Sequence, residues 1–133
     1  MIVVGVWSFS DSGRAATNTP IALRAAFTRM IANLGDPQPT YAGYVETTRE
    51  EAQSFAAATP MEDSQPVYLV ELRGKFVAHG AHVPPGRPLP VGTVATFTVD
   101  VTSGQVLDFG INDLTLDLSR LGTVHDLMDE LGT

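Results

Sequence analysis

The chain of 133 residues contains no cysteine. This absence excludes a disulfide framework, a thiolate nucleophile, a zinc site built on cysteine and a cysteine-ligated iron–sulfur cluster. It does not fix the compartment, because cysteine-free proteins also occur in the cell envelope. At this length we expect one domain that buries a core without disulfides or metal ions to staple it.

Basic residues are also scarce. Eight Lys and Arg side chains stand against 15 Asp and Glu, which gives a formal net charge of −7. Phosphate neutralisation dominates affinity for nucleic acid, and the sequence has no basic stripe that would supply it, so we predict no nucleic-acid partner. An acidic surface mostly serves solubility, and attraction of a cationic partner is the alternative interpretation.

Long hydrophobic runs are missing as well. The apolar stretch Met1–Phe9 is far too short to span a bilayer and lacks the basic region that opens a signal peptide. Two interpretations remain open, an edge strand or the stub of a longer membrane or signal segment, with residues 8–13 as a tether. We therefore expect an N-terminal segment or tether over residues 1–18 and a single α+β domain over residues 19–133.

Two helices are predicted in the first half of the chain. The first runs from Pro20 to Leu34, with Thr19 as its cap and Gly35 as its end. Its apolar side chains recur at helical spacing and should pack on a sheet; they are Leu23, Phe27, Met30, Ile31 and Leu34. The second is short, from the capping-box residue Thr48 to about Ala58, because Glu51 stands three positions after the threonine.

Strands are predicted at residues 41–47, at residues 67–77 and on both sides of a turn at residues 102–104. Gly104 closes that turn and supplies the positive φ that a three-residue hairpin loop requires. Gly74 lies inside the second strand and indicates a bulge or a close backbone approach. After the hairpin we expect an extended or 3₁₀ wrap over residues 114–121 and a short final helix from Thr123 to Leu131.

Histidines are the first candidates for chemistry. His79 and His82 lie three positions apart in a proline-rich loop, but no third metal ligand follows at a recognisable spacing. His125 and Asp129 can pair across one turn of the predicted final helix, yet no nucleophile lies nearby in the sequence. We therefore predict no metal site and no catalytic dyad, and treat these residues as ordinary loop and helix residues.

The acidic, serine and glycine motifs likewise indicate no metal, catalytic or phosphate-binding site. Asp108, Asp113 and Asp117 lack the spacing and the distal glutamate of a calcium loop, and the last two are expected on solvated turns. The serines at positions 8–12 do not form a Gly-x-Ser-x-Gly elbow, and no glycine loop cradles phosphate. No catalytic residue, binding residue or cofactor is assigned, and an enzyme is the less favoured class.

Two features suit a binding module better. The loop at residues 79–92 carries the run Pro84-Pro-Gly-Arg-Pro-Leu-Pro90, which is typical of a polyproline ligand, although most such loops only connect elements. The second feature is the edge that an open antiparallel sheet leaves, because such an edge can accept a strand from a partner.

The segment at residues 67–110 resembles PepSY-type and related cystatin-like domains. The features in common are Tyr68, the interior Gly74 and the hairpin pattern Val99-Asp-Val-Thr-Ser-Gly104-Gln-Val-Leu107. The resemblance covers about a third of the chain, and the insertion at residues 79–92 and the leucine-rich C-terminal part depart from it. It implies a bacterial, extracytoplasmic protein linked to inhibition or envelope interactions, and it transfers no functional residue.

Together these observations predict an α+β fold. One long and one short helix pack on a twisted antiparallel sheet of about four strands, cystatin- or PepSY-like. The expected function is a non-catalytic binding or inhibitory module of the bacterial cell envelope with a protein partner, either extracytoplasmic or membrane-anchored through a segment outside this chain. The alternative is a small-ligand or hydrolytic site in the concave face of the sheet.

Overall fold

The computed structural model describes residues 20–36, 38–79 and 83–128. It is an α+β structure with helices α1 (Ile21–Leu34) and α2 (Arg49–Ala57). Five antiparallel strands form one sheet in the order β4-β3-β2-β1-β5. The strands are β1 (Tyr41–Thr48), β2 (Pro66–Val77), β3 (Val91–Asp100), β4 (Val106–Asn112) and β5 (His125–Asp126), and a 3₁₀ helix (Leu118–Arg120) lies between the last two.

Helix α1 covers one face of the sheet. The spacing of its apolar residues puts Leu23 and Leu34 in the core, with Phe27, Met30 and Ile31 partly buried beside them, as predicted. Gly35 ends the helix in the left-handed conformation at φ 81°. The predicted start was one residue early, because Pro20 is the N-cap and the first helical residue is Ile21. Thr19 lies outside the described residues.

Helix α2 covers the opposite face. Thr48 caps it as predicted, since its Oγ1 accepts a hydrogen bond from the Glu51 amide at 3.3 Å. The Glu51 carboxylate takes a different partner from the expected one and accepts from the Thr47 hydroxyl at 2.8 Å. Ala52 of α2 is buried against the sheet, and Phe55 and Ala56 of the same helix are partly buried beside it. The buried Leu118 of the 3₁₀ helix packs in the same cluster.

The fifth strand corrects the predicted strand number. The sequence predicted a helix from Thr123, but His125 and Asp126 pair with Tyr44 and Gly43 at the edge of β1. The His125 ring stacks on Tyr44 with 4.9 Å between ring centroids, which favours the extended form there. Helical residues begin only at Leu127, which is buried, and residues 129–131 of the predicted helix lie outside the described part.

The strand faces follow the predicted alternation. On β2, Tyr68, Val70 and Leu72 face α1, whereas Val67 and Leu69 face α2. The register with β3 shifts between Arg73 and Phe76, which confirms the bulge predicted at Gly74. A Cβ at Gly74 would lie 2.6 Å from Asp36 Oδ2, so the backbone approaches that carboxylate closely.

Glu71 is a charged residue inside this framework. Its side chain is fully buried, and it accepts hydrogen bonds from Arg73 Nη2 at 3.1 Å and from the Leu116 amide at 2.7 Å. The Arg73 guanidinium also lies over the Tyr41 ring, 4.2 Å from its centroid. This network ties the segment after β4 to the middle of the sheet.

Hydrogen bonds to the Asp100 carboxylate and from Arg29 of α1 stabilise the β3–β4 hairpin. Asp100 Oδ2 accepts from the Ser103 amide at 3.0 Å and from the Ser103 hydroxyl at 2.6 Å. The loop spans residues 101–105, longer than the predicted three residues, because the Asp100 carbonyl and amide bond to Gly104 and Gln105. Gly104 has φ 76°, as the sequence indicated, and its carbonyl accepts from Arg29 at 3.1 Å.

Substitution Gly104→Ala should lower the free energy of unfolding by about 2 kcal/mol, because a side chain at positive φ is strained. The added Cβ would also lie 2.9 Å from Ala22 Cβ in α1. The matched control is Gly110→Ala, whose Cβ would meet only Thr96 Oγ1 at an ordinary 3.7 Å. Urea denaturation of both variants checks this, and equal losses for the two would contradict it.

Candidate functional site

A cleft opens between α2 and the β3–β4 edge of the sheet. Its volume is about 160 Å³. That is smaller than the roughly 300–1,000 Å³ of a site for a drug-sized molecule, so it suits a single side chain or a small ion better than a metabolite. The polar and small residues that line it are Gln53, Ala56, Ala57, Thr96, Thr98, Asp108, Gly110 and Asn112.

The cleft exists because short side chains meet there. Gly110 lies directly opposite Thr96 in the β3–β4 register, and directly opposed residues project from the same face. A Cβ built on Gly110 would find only Thr96 Oγ1 within contact distance, at 3.7 Å. Alanines at positions 56 and 57 form the helix wall. A larger residue at any of these positions would fill part of the space.

One side of the cleft is an ion-pair network. Arg49, at the start of α2, makes a bidentate pair with Asp108 of β4, with Nε to Oδ2 at 3.0 Å and Nη2 to Oδ1 at 2.8 Å. Arg49 Nη1 also reaches Asp63 Oδ2 at 3.2 Å. The Thr98 hydroxyl donates to Asp108 Oδ2 at 2.6 Å. Planar, two-point pairing of this kind fixes both groups in space.

The network shifts the pKa values of Asp108 and Arg49. Hydrogen bonds from Arg49, and in addition the one from Thr98, hold the pKa of Asp108 below its usual range although partial burial acts in the other direction. The same contacts raise the pKa of Arg49. Asp108 Oδ2 already accepts two hydrogen bonds and Oδ1 accepts one. A low-pKa carboxylate that already accepts three hydrogen bonds is a weak general base, so the arrangement favours positioning over proton transfer, and one lone pair of Oδ1 stays unused.

This pKa shift predicts how stability depends on pH. A depressed folded-state pKa contributes stability that is present above the unfolded value of about 3.9 and is lost as the pH falls through the folded value. Asp108→Asn should therefore cost about 2 kcal/mol near pH 7, and the difference from wild type should shrink as the pH falls from about 3.9 through the folded-state pKa. Urea unfolding across this range checks it, and a difference that stays constant with pH would contradict it.

Thr96 lies at the floor of the cleft and is only 9% exposed. Its hydroxyl makes no hydrogen bond to any residue that the structure describes, whereas the neighbouring Thr98 hydroxyl is bonded to Asp108. The Thr96 hydroxyl oxygen is not among the buried unpaired polar atoms of the described residues, so it is accessible from the cleft. Thr96 Oγ1 therefore has hydrogen-bonding capacity left for a group that enters the cleft.

Strand β4 forms one outer edge of the described sheet. It pairs with β3, and no other described strand lies on its far side. Phe109 is 43% exposed there, although it lies opposite the buried Phe97 on the α1 side of the sheet. Alternate backbone groups of an edge strand point away from the sheet and can bond to another chain. The cleft and this edge are continuous, because Asp108, Gly110 and Asn112 belong to both.

The histidines considered from the sequence do not converge on a site in the described residues. His79 is exposed beside Gly35, His125 stacks on Tyr44, and His82 and Asp129 lie outside the described part of the chain. In residues 20–36, 38–79 and 83–128 no group of three His, Asp or Glu side chains is placed to hold a metal ion.

The acidic residues have local partners. Asp113 accepts from the Thr93 amide and hydroxyl, and Asp117 from the Ser119 amide. Both residues are exposed, as predicted, but only Asp113 lies at a bend, because Asp117 is the N-cap of the 3₁₀ helix. No local sequence pattern indicates the Arg49–Asp108 pair, because its members are 59 positions apart. Only the strand register and the position of α2 bring them together.

No family model, curated protein or solved structure matches this chain. The fold and the site therefore carry the functional argument alone. Within the described residues, none of the helices has the length and apolar character needed to cross a bilayer.

Proposed function

We propose that this domain is a non-catalytic protein-binding module that accepts an extended segment of a partner along β4. The observation that carries the proposal is the open edge of β4 next to a cleft. An added strand would bond to the outward backbone groups, and the cleft would receive one of its side chains. This mode of binding needs no catalytic residue.

The composition of β4 supports this function. Natural edge strands are usually guarded by lysine, proline, bulges or covering elements. The run Val106-Leu-Asp-Phe-Gly-Ile-Asn112 contains no Lys, Arg or Pro, and its one charge is engaged by Arg49. A register shift next to Val99 puts a bulge at the start of the strand, so residues 108–112 form the regular part of the edge.

The other edge of the sheet is protected differently. The two residues of β5 cover part of β1, and His125 stacks on Tyr44 there. The contrast makes β4 the better acceptor of a partner strand.

Peptide selection tests this function. A random library of ten-residue peptides is selected on the full-length chain, and the enriched peptides are titrated against wild type and Phe109→Lys. An ammonium group on the edge opposes strand addition, so we expect affinity to fall about tenfold. Val91→Lys is the control, because Val91 is 66% exposed and the charge change is identical. Equal loss in both variants, or no enriched peptide, would contradict the proposal.

The cell-envelope location and the cystatin- or PepSY-like relationship belong to the same proposal. Their support is the resemblance of the β2–β4 segment and the apolar stretch Met1–Phe9. Fractionation of bacterial cells that produce the native protein tests the location. Recovery in the envelope fraction supports it, and recovery in the cytosol contradicts it.

A small-ligand or hydrolytic site is the second candidate. On the α1 side the sheet is covered by Phe27, Met30 and Leu34, so we put such a site in the α2 cleft. The cleft contains convergent polar groups and one carboxylate with a shifted pKa. A thermal-shift screen against metabolites and divalent ions tests it, because a ligand at a hundred times its Kd adds about 2.7 kcal/mol of stability.

A further inference from the structure

We propose that the cleft is a specificity pocket for one lysine or arginine side chain of the partner strand, at the position directly opposite Gly110. This inference rests on the proposed strand addition at β4 and names the chemistry of the segment that is bound. It uses three observations: the geometry of the edge, the unpaired Thr96 hydroxyl, and the local charge.

Strand geometry fixes which partner residue reaches the cleft. Residues directly opposite each other in paired strands project from the same face. Thr96 and Gly110 are opposed on the face that α2 covers. A partner residue opposite Gly110 would continue this row outward. Because Gly110 has no side chain, that residue can extend over it toward Thr96.

The Thr96 hydroxyl supplies a hydrogen-bonding partner at the end of that path. Thr96 as a whole residue is 9% exposed and lines the cleft, and its hydroxyl has no partner among the described residues but stays accessible from the cleft. Its oxygen can accept a hydrogen bond from an ammonium or guanidinium group, which carries only donors. The remaining lone pair of Asp108 Oδ1 is a second acceptor on the same wall, since that oxygen accepts one bond from Arg49.

The local charge determines whether the cleft prefers a basic or an acidic side chain of the partner. The network beside the cleft contains Arg49 with Asp63 and Asp108, and Glu50 joins it through a 3.2 Å bond from the Asp63 amide to its carboxylate. One positive and three negative groups leave a local charge of −2, and the whole chain carries −7. A basic side chain is attracted to this site, whereas an acidic one is repelled. The Ala56 and Ala57 side of the cleft can pack against the methylene stem of a long basic residue.

The test uses synthetic peptides of sequence Thr-Val-Thr-X-Thr-Val-Thr, blocked at both ends, with X as Lys, Arg, Leu or Glu. Each is titrated against the full-length chain, and NMR follows both the affinity and the β4 amide signals. A short repetitive peptide can slide along the edge until X lies opposite Gly110. We expect every peptide to perturb the β4 amides and the Lys and Arg peptides to bind about tenfold tighter than Leu, with Glu weakest.

Two variants locate the preference. Gly110→Val puts a side chain across the mouth of the cleft, and Thr96→Val removes the hydroxyl while keeping the shape. In both, the advantage of Lys over Leu should fall to about twofold or less, because the acceptor or the access is lost. Val106→Ala changes the α1 face of the same strand at a residue that does not line the cleft, and it should keep the full preference.

The outcomes separate this inference from the proposed function. Perturbation of the β4 amides by all peptides with no preference for Lys or Arg overturns the basic pocket and keeps strand addition. A Lys preference that survives in Gly110→Val also overturns the pocket. Binding that leaves the β4 amides unchanged overturns strand addition itself, and the pocket inference with it.

Discussion

Phe97→Ala is expected to lower the free energy of unfolding by about 3–5 kcal/mol, the usual cost of removing a buried aromatic ring. Phe97 is 1% exposed on β3 and pairs in register with Val70 of β2 and Phe109 of β4. It belongs to the core cluster that also includes Leu23 and Leu34 of α1. Urea denaturation with an unchanged m value would measure the loss.

Phe109→Ala is the matched control, because the same ring is removed from the residue directly opposite. Phe109 is 43% exposed, so its truncation removes less buried area and should cost about 1–2 kcal/mol. The difference between the two variants reports how much closer packing is at the sheet centre than at the β4 edge. Equal losses would mean that the Phe109 side of the edge is covered in solution, which would contradict the open-edge account.

Arg73→Met should have the second largest effect, a loss of about 3 kcal/mol. The substitution leaves the fully buried Glu71 carboxylate with only the Leu116 amide as its hydrogen-bond partner. Removing one member of a buried ion pair costs about 3–5 kcal/mol, and the partial exposure of Arg73 puts this case at the lower end. Thermal and urea unfolding of the single variant measure it.

The double variant Glu71→Gln with Arg73→Met separates charge from packing. A neutral glutamine still accepts from the Leu116 amide and needs no counter-charge, so we expect most of the lost stability to return. The double-mutant cycle should give a coupling of about 1–3 kcal/mol between the two positions. Simple additivity would contradict the role of Arg73 as the partner of a buried charge.

Local patterns were sufficient to predict most of the fold from the sequence. The helical spacing of Leu23 and Leu34, the Thr48 cap and the positive φ of Gly104 each depend on a few neighbouring residues. The α+β class follows from these elements. The final helix was predicted wrongly at its start, because the pairing of His125 with Tyr44 is a long-range contact that residues 123–131 do not encode by themselves.

The candidate site could not be predicted in the same way. The bidentate pair of Arg49 and Asp108 depends on the strand register and on which face α2 covers. The cleft depends on the small size of Gly110 and its neighbours, which is visible only once Thr96 is known to lie opposite. The spacing of the aspartates only excludes a calcium loop at Asp108, and no local pattern connects Asp108 with Arg49 of α2.

Amide hydrogen exchange at β4 tests the central claim most directly. It is measured residue by residue in the full-length chain, free and saturated with a peptide selected from the library. We predict that in the free chain alternate amides of residues 108–112 exchange fast, since their N–H groups point away from β3, and that the peptide protects this fast set. Protection of all these amides in the free chain, or fast exchange that persists in the saturated complex, would contradict a partner strand at β4.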